Sequence, residues 1–287
     1  MRPSELNTIE PGSAAARGLG PAGSESISKL SVGSRRSISL TLAVTSFVAV
    51  GVLWEFIGRT VNNSIFFVPL SAIGDAAIEM ARTGELWTHF SASLIECSIG
   101  FVIACTVGVL IGCFMSLHWL VRDLLEPWVA ALYTVPIIAI GSLFIIWLGI
   151  GLTSKIVIVF LVAVFPVILS TVVGLNQVEP HLVEAVRSFG ATSLDIYTKV
   201  RLPAAIPSIL TGFRIALRGA LVAVVVAELF GSKAGLGQMI LSYSQSFETA
   251  KVFVGVLSLS GLGIVGFMLL RLIERFLTPW QQQRTGT

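Results

Sequence analysis

Six apolar segments, near residues 38–57, 90–115, 127–149, 156–177, 208–230 and 252–275, constrain the fold of this 287-residue chain. Each is close to the roughly 20 residues that a helix needs to cross a hydrocarbon core. Because lipid offers no partner for a backbone N–H or C=O, such segments satisfy those groups internally and are read as spanning helices. The expected fold class is therefore all-α: a polytopic membrane protein with six transmembrane helices. Charged residues make up only 12% of the chain, about half the share found in an ordinary soluble domain. The residues between the apolar segments leave little room for a separate soluble enzyme domain.

The polar remainder has an order of its own. Residues 1–36 are rich in Gly, Ser, Ala and Pro and contain no apolar stretch, so a disordered tail is expected there. A secretory signal would carry its apolar core near the start, whereas the first apolar run begins near Ile38, directly after Arg35 and Arg36. Residues 37–280 then form one transmembrane domain, followed by a short tail at 281–287. Six spans put both termini and the long connection at 178–207 on one side. Arg2, Arg17, Lys29, Arg35, Arg36, Arg122, Arg187, Lys199, Arg201, Arg271, Arg275 and Arg284 fall on that side, against Arg59, Arg82, Lys155, Lys233 and Lys251 on the other. This excess assigns both tails and the connection to the cytoplasmic face of the cell inner membrane. No basic run points to nucleic acid.

Two stripes of small residues predict how the helices pack. Gly100, Ala104, Gly108 and Gly112 recur every four residues in the second segment, and Gly212, Ala216, Ala220 and Ala223 nearly do so in the fifth. Small side chains let helix backbones approach closely in lipid, so the stripes read as packing faces and not as sites. The third and fourth segments, joined by the turn at 149–155, are expected to form a tight hairpin, with Pro136 and Pro166 kinking their helices. Cys97, Cys105 and Cys113 lie eight residues apart on one segment, about 12 Å per step along a helix. They are too far apart to pair with one another, and they lack the mixed ligand set of a metal site.

Ionisable residues inside spans are costly and each needs a reason. Glu55, beside Trp54 near the outer end of its segment, reads as an interface anchor. Glu96 shares the small-residue face of its helix with Gly100 and reads as half of a buried ion pair whose partner the sequence does not name. In the fifth segment Arg214, Arg218, Leu221, Val225 and Glu228 fall along one stripe at helical spacing. Two readings of that stripe stand. It lines a translocation path, or Arg214 and Arg218 snorkel to the inner surface while Glu228 pairs with a neighbouring helix.

The connection at 178–207 is the most specific stretch of the chain. Over 184–203 it reads E-A-V-R-S-F-G-A-T-S-L-D-I-Y-T-K-V-R-L-P. The spacing of Glu184-Ala185, Gly190-Ala191 and Leu202-Pro203 resembles the EAA loop of ABC-importer permeases, with Val186 standing where that family usually has a second Ala. T-V-P-I-I-A-I-G-S-L-F-I-I-W-L-G-I-G-L-T-S-K-I at 134–156 and A-E-L-F-G-S-K-A-G-L-G-Q-M-I at 227–240 are similar to the nitrate/sulfonate/taurine/bicarbonate branch of these permeases. The likeness covers residues 38–280.

That resemblance implies a type I ABC-importer permease (MetI-like) fold working as a dimer, often of identical subunits. It implies two partners besides the second permease subunit: a cytoplasmic ATP-binding subunit and an extracytoplasmic solute-binding protein. The ATPase would dock on the loop, where Glu184 to Leu194 would form the docking helix, Gly190 would permit a turn or close backbone approach, and Leu202-Pro203 would set the start of the fifth helix. The branch, together with Arg214 and Arg218, points to a small anion such as a sulfonate or nitrate as the solute.

The chain contains no G-x-x-x-x-G-K-[ST] phosphate loop, so the energy must come from a partner. His89, His118 and His181 form no H-E-x-x-H pattern and no nucleophile–base set, and neither catalysis nor a metal or cofactor is expected. The competing function is a proton-coupled secondary transporter with Glu96 or Glu228 as the carrier. Such folds often show two corresponding halves, and the sequence shows no internal repeat.

Overall fold

The computed structural model describes residues 41, 42, 44–61 and 67–278; the expected tails at 1–36 and 281–287 and the start of the first apolar segment lie outside them. Among the described residues all regular structure is helical. The chain divides into two compact units, residues 1–60 and 61–287. In the first, helix α1 covers residues 44–60, and Arg59 Nε lies 2.6 Å from Glu55 Oε1 one turn away. A carboxylate near the end of an apolar helix thus has a charged neighbour on the same face.

The second unit contains α2 (Leu70–Thr83), α3 (Glu85–Leu117), α4 (Trp119–Thr134), α5 (Ile137–Leu148), α6 (Leu152–Asn176), α7 (Pro180–Ser188), α8 (Ser193–Ile196), α9 (Leu202–Leu229), α10 (Leu236–Gln245) and α11 (Thr249–Leu277). A π-helical turn over Tyr197–Arg201 joins α8 to α9 without a break. By length and composition, α3, α6, α11 and the continuous helix Ser193–Leu229 are able to cross a membrane.

The core forms around α6, which packs against α3 on one side and α9 on the other. Both predicted stripes lie in these contacts. A Cβ added at Gly100 would meet the Val159 side chain at 2.7 Å, one at Gly108 would meet Val167 at 2.7 Å, and one at Gly112 would meet Thr171 at 2.6 Å. On the opposite face Gly212 fits against Ser170 and Gly174 against Ser208 in the same manner. Ala216, Ala220 and Ala223 are fully buried beside them. The small residues therefore allow close backbone approach, and the dispersion contacts so gained replace the hydrophobic drive that lipid removes. A second cluster, with Ile73, Met80, Leu236, Met239 and Val254, joins α2, α10 and α11 at the other end of the bundle.

The third apolar segment departs from expectation. It is not one kinked helix over 127–149 but two helices, α4 and α5, separated at Val135–Pro136. Proline at 136 has no N–H to bond the carbonyl of Leu132, and its ring drives the preceding residue into the extended region. Val135 accordingly has φ −68 and ψ 125 and terminates α4. Pro127 and Pro166, by contrast, lie inside α4 and α6, which continue through them. The hairpin expected around 149–155 is present, with α5 packed on α6.

Candidate functional site

Local sequence explains the shape of the connection at 178–207. Pro180 sits in the first turn of α7, where its missing N–H costs nothing. The helix stops at Ser188 because Gly190 adopts φ +82. Gly190 N–H donates to the Arg187 carbonyl at 2.9 Å and Ala191 N–H to the Val186 carbonyl at 3.4 Å, the paired bonds of a Schellman ending. Nothing lies within 4 Å of a Cβ built at Gly190, so this glycine serves the left-handed turn and not a close approach.

The helix restarts almost at once. Thr192 caps α8 through a reciprocal pair, Asp195 N–H to Thr192 Oγ1 and Thr192 N–H to Asp195 Oδ2, both 3.2 Å. Lys199 Nζ donates to Asp195 Oδ1 at 2.5 Å, and this bond, followed by those from Thr192, holds the Asp195 carboxyl down to about 2. The single docking helix expected from Glu184 to Leu194 is thereby corrected to two helices divided at Gly190, with Leu194 belonging to the second. Phe189 is 91% exposed and Leu194 71% exposed, each beside this break, while Glu184 and Ala185 lie on the uncovered surface of α7. Phe189 and Leu194 therefore protrude beside the break, and Leu182 of α7 is exposed as well.

Leu202 and Pro203 open α9 as expected, but the helix they enter is already running. In the π turn Leu202 N–H donates to the Tyr197 carbonyl, five residues back. That extra residue shifts the register just ahead of Pro203, whose ring would otherwise press on the Lys199 carbonyl. Tyr197 Oη donates to the Cys113 carbonyl at 3.3 Å, tying the turn to the end of α3.

The stripe on α9 spans three different environments. Arg214 is paired with Glu274 of α11, and Arg218 is exposed with no ion-pair partner among the described residues. Glu228 is fully buried. Its carboxylate accepts from Ser93 Oγ of α3 at 2.5 Å and from the Gly237 N–H of α10 at 2.6 Å. Ser93 Oγ in turn accepts from Leu236 N–H at 2.7 Å, and Gly235 N–H donates to His89 Nδ1 at 3.1 Å. A Cβ at Gly235, whose φ is +135, would fall onto the Glu228 carboxyl group. Glycine is required there by both conformation and space.

A second buried carboxylate lies on α3. The ion pair expected at Glu96 is present, and its partner is Lys155 of α6, at 2.6 Å; the two side chains are almost fully buried. Lys155 also donates to Ser232 Oγ, and Ser232 donates to the Ala234 carbonyl. Lys155 is thus a buried, paired charge and not a free one. One ammonium and two carboxyl groups hold α3, α6 and α9 to the glycine-rich segment 231–237. The sequence hinted at this through the run A-E-L-F-G-S-K-A-G-L-G, which contains Glu228, Ser232, Gly235 and Gly237. Lys155 lies at the end of the run at 134–156, while Ser93 and His89 carried no such signal.

Residues 104–279 match the family described as the binding-protein-dependent transport system inner membrane component. SsuC of Bacillus subtilis (strain 168), named for aliphatic sulfonates transport, is 34% identical over 82% of this chain and 85% of its own length. The taurine transport system permease protein TauC of Escherichia coli (strain K12) is 32% identical over 85% of this chain and 90% of its own. The formylaminopyrimidine transport permease protein ThiX of Halalkalibacterium halodurans is 28% identical over 87% of this chain and all of its own. With its all-α bundle of apolar helices and its sulfonate and taurine relatives, the chain belongs to the binding-protein-dependent inner membrane components, the multi-pass permease subunits of ABC importers.

Proposed function

We propose that this permease forms half of a homodimeric translocation pathway for a small organic anion and is driven by a separate ATPase that docks on the 178–207 loop at the cytoplasmic face. The observation that carries the coupling assignment is Phe189, a large apolar side chain 91% exposed at the break between two short capped helices. Such a residue is costly to leave in water and is suited to a partner's apolar pocket. Glu184, Ala185, Gly190, Ala191, Leu202 and Pro203 build the scaffold that presents it. The continuous helix from Ser193 to Leu229 supplies a rigid lever from that loop into the bundle, so a displacement of the loop would be felt along its length.

The anion rests on two supports: relatives named for sulfonate and taurine transport, and Arg218, which stands exposed without an ion-pair partner among the described residues. The ThiX relative, named for formylaminopyrimidine transport, favours a heterocycle as the second reading of the solute. Glu228, by contrast, is held by Ser93 of α3 and Gly237 of α10, and in this reading it anchors the outer end of α9.

Coupling is tested by co-purification. The wild-type permease taken from its native membrane is expected to bring an ATPase with it, and Glu184→Lys is expected to reduce that ATPase at least fivefold. An ATPase absent from the wild type, or retained in full by the variant, overturns the assignment.

A further inference from the structure

A polar cavity of about 190 Å³ lies between the end of α3 and the α7–α8 loop. It is lined by the guanidinium-bearing Arg187 and Arg201, by the hydroxyl-bearing Ser116, Ser193 and Tyr197, and by the buried Ile196. No lining residue is acidic. Of the loop's carboxylates, Asp195 is engaged with Lys199 and Thr192 and Glu179 with His181, while Glu184 lies exposed on α7 and does not line the cavity. Neither Arg187 nor Arg201 has an ion-pair partner among the described residues.

Two guanidinium groups brought to one cavity repel each other unless an anion lies between them. Arginine presents a planar fork of N–H donors that matches a phosphate or sulfonate bidentately, and hydroxyl groups complete the donor shell. The position narrows the ligand further. Leu117 ends the apolar α3 and lines the same cavity, and the chain continues into Trp119 and Leu120, both more than half exposed. Apolar surface of this kind beside a cationic pocket is the arrangement found where a protein meets anionic headgroups.

From these observations, the geometry points to a binding site for a phosphate-type oxyanion at the root of the docking loop, held by Arg187 and Arg201 with Ser116, Ser193 and Tyr197. The anion would bridge α7, the π turn and α3, and so tie the loop to the bundle independently of the ATPase. The assignment rests on the reading above that 178–207 lies at the cytoplasmic face. The source of the oxyanion is either the phosphodiester of an anionic phospholipid or free phosphate.

Native mass spectrometry of the full-length permease in an uncharged detergent separates these sources. One arm adds short-chain phosphatidylglycerol, a second phosphatidylcholine, a third sodium phosphate. Phosphatidylglycerol adducts that exceed phosphatidylcholine adducts in the wild type and fall at least fivefold in R187Q/R201Q, but not in R122Q, assign a lipid headgroup. Phosphate adducts with the same dependence assign the free ion. Adducts that persist in R187Q/R201Q, that fall equally in R122Q, or that form with neither ligand overturn the proposal.

If the double variant does not fold, wild-type protein gives the answer. Phosphatidylglycerol or phosphate should then slow modification of Arg201 by phenylglyoxal at least threefold, and an unchanged rate overturns the site. None of these measurements needs the ATPase, and Glu184→Lys is expected to leave the adducts intact, so failure here is distinct from failure of the docking assignment.

Discussion

Lys155 carries half of a buried ion pair: its ammonium meets Glu96 at 2.6 Å, while the other buried carboxyl group nearby, Glu228, is held by hydrogen bonds from Ser93 and Gly237. Removing one member of a buried pair leaves an uncompensated charge and typically costs about 3–5 kcal/mol, whereas replacing both members by apolar groups is often close to neutral. Lys155→Met is therefore expected to lower the thermal unfolding midpoint of the purified protein sharply, and K155M/E96L to recover most of the loss. Equal losses in the single and double variants would show that Glu96 and Lys155 do not act as a pair. Glu96 was legible as needing a partner, since a carboxylate on a small-residue helix face cannot rest in lipid. Its partner was not, because Lys155 is 59 residues away in sequence and sits at a helix start where an exposed lysine is equally reasonable. The same holds for Ser93, which bridges 135 residues to reach Glu228. Side chains that matter through a distant contact leave no mark in their own neighbourhood.

At the scale of the element, the glycine stripes show what periodicity reveals and where it ends. A repeat of four marks a helix face, and the structure places those faces in the α3–α6 and α6–α9 contacts. Gly108→Ala would put a Cβ 2.7 Å from the Val167 side chain, and such overpacking costs about 1–3 kcal/mol. Gly74→Ala, in α2 where nothing lies within 4 Å, is instead expected to be neutral or stabilising by about 0.5–1 kcal/mol. Thermal or denaturant unfolding of the two variants reads the difference, and equal effects would refute the packing role of the stripe. In the loop, the turn at Gly190 was foreseeable from residue type, and the restart at Thr192 was encoded in the capping pair Thr192–Asp195. A helix expected as one piece was two because a left-handed glycine and a fresh N-cap lie only two residues apart.

For the whole molecule, orientation follows from where the charges and helix ends fall. The helix from Ser193 to Leu229 is about 55 Å long at 1.5 Å per residue, so Leu194 and Gln245 belong to opposite faces of the membrane in the proposed topology. A cysteine at Leu194 is expected to react with a charged, impermeant thiol reagent only in inverted vesicles, and one at Gln245 only in right-side-out vesicles. The reverse pattern would invert the topology and remove the loop from the cytoplasmic ATPase. The sequence by itself determined that the chain is a helical membrane protein, because apolar length is a local property that survives without knowing what packs where, and the motif at 184–203 carried its resemblance to the ABC-importer permeases. Only tertiary structure decided the outcome at its prolines. Pro136 follows residues 131–135, all exposed, whereas Pro166 rides within α6, enclosed between α3 and α9. The same ring and the same missing N–H are present at both positions. Their neighbours differ: α6 is braced on two sides at Pro166, whereas Val135, exposed just ahead of Pro136, turns extended and ends an α4 that runs on through Pro127.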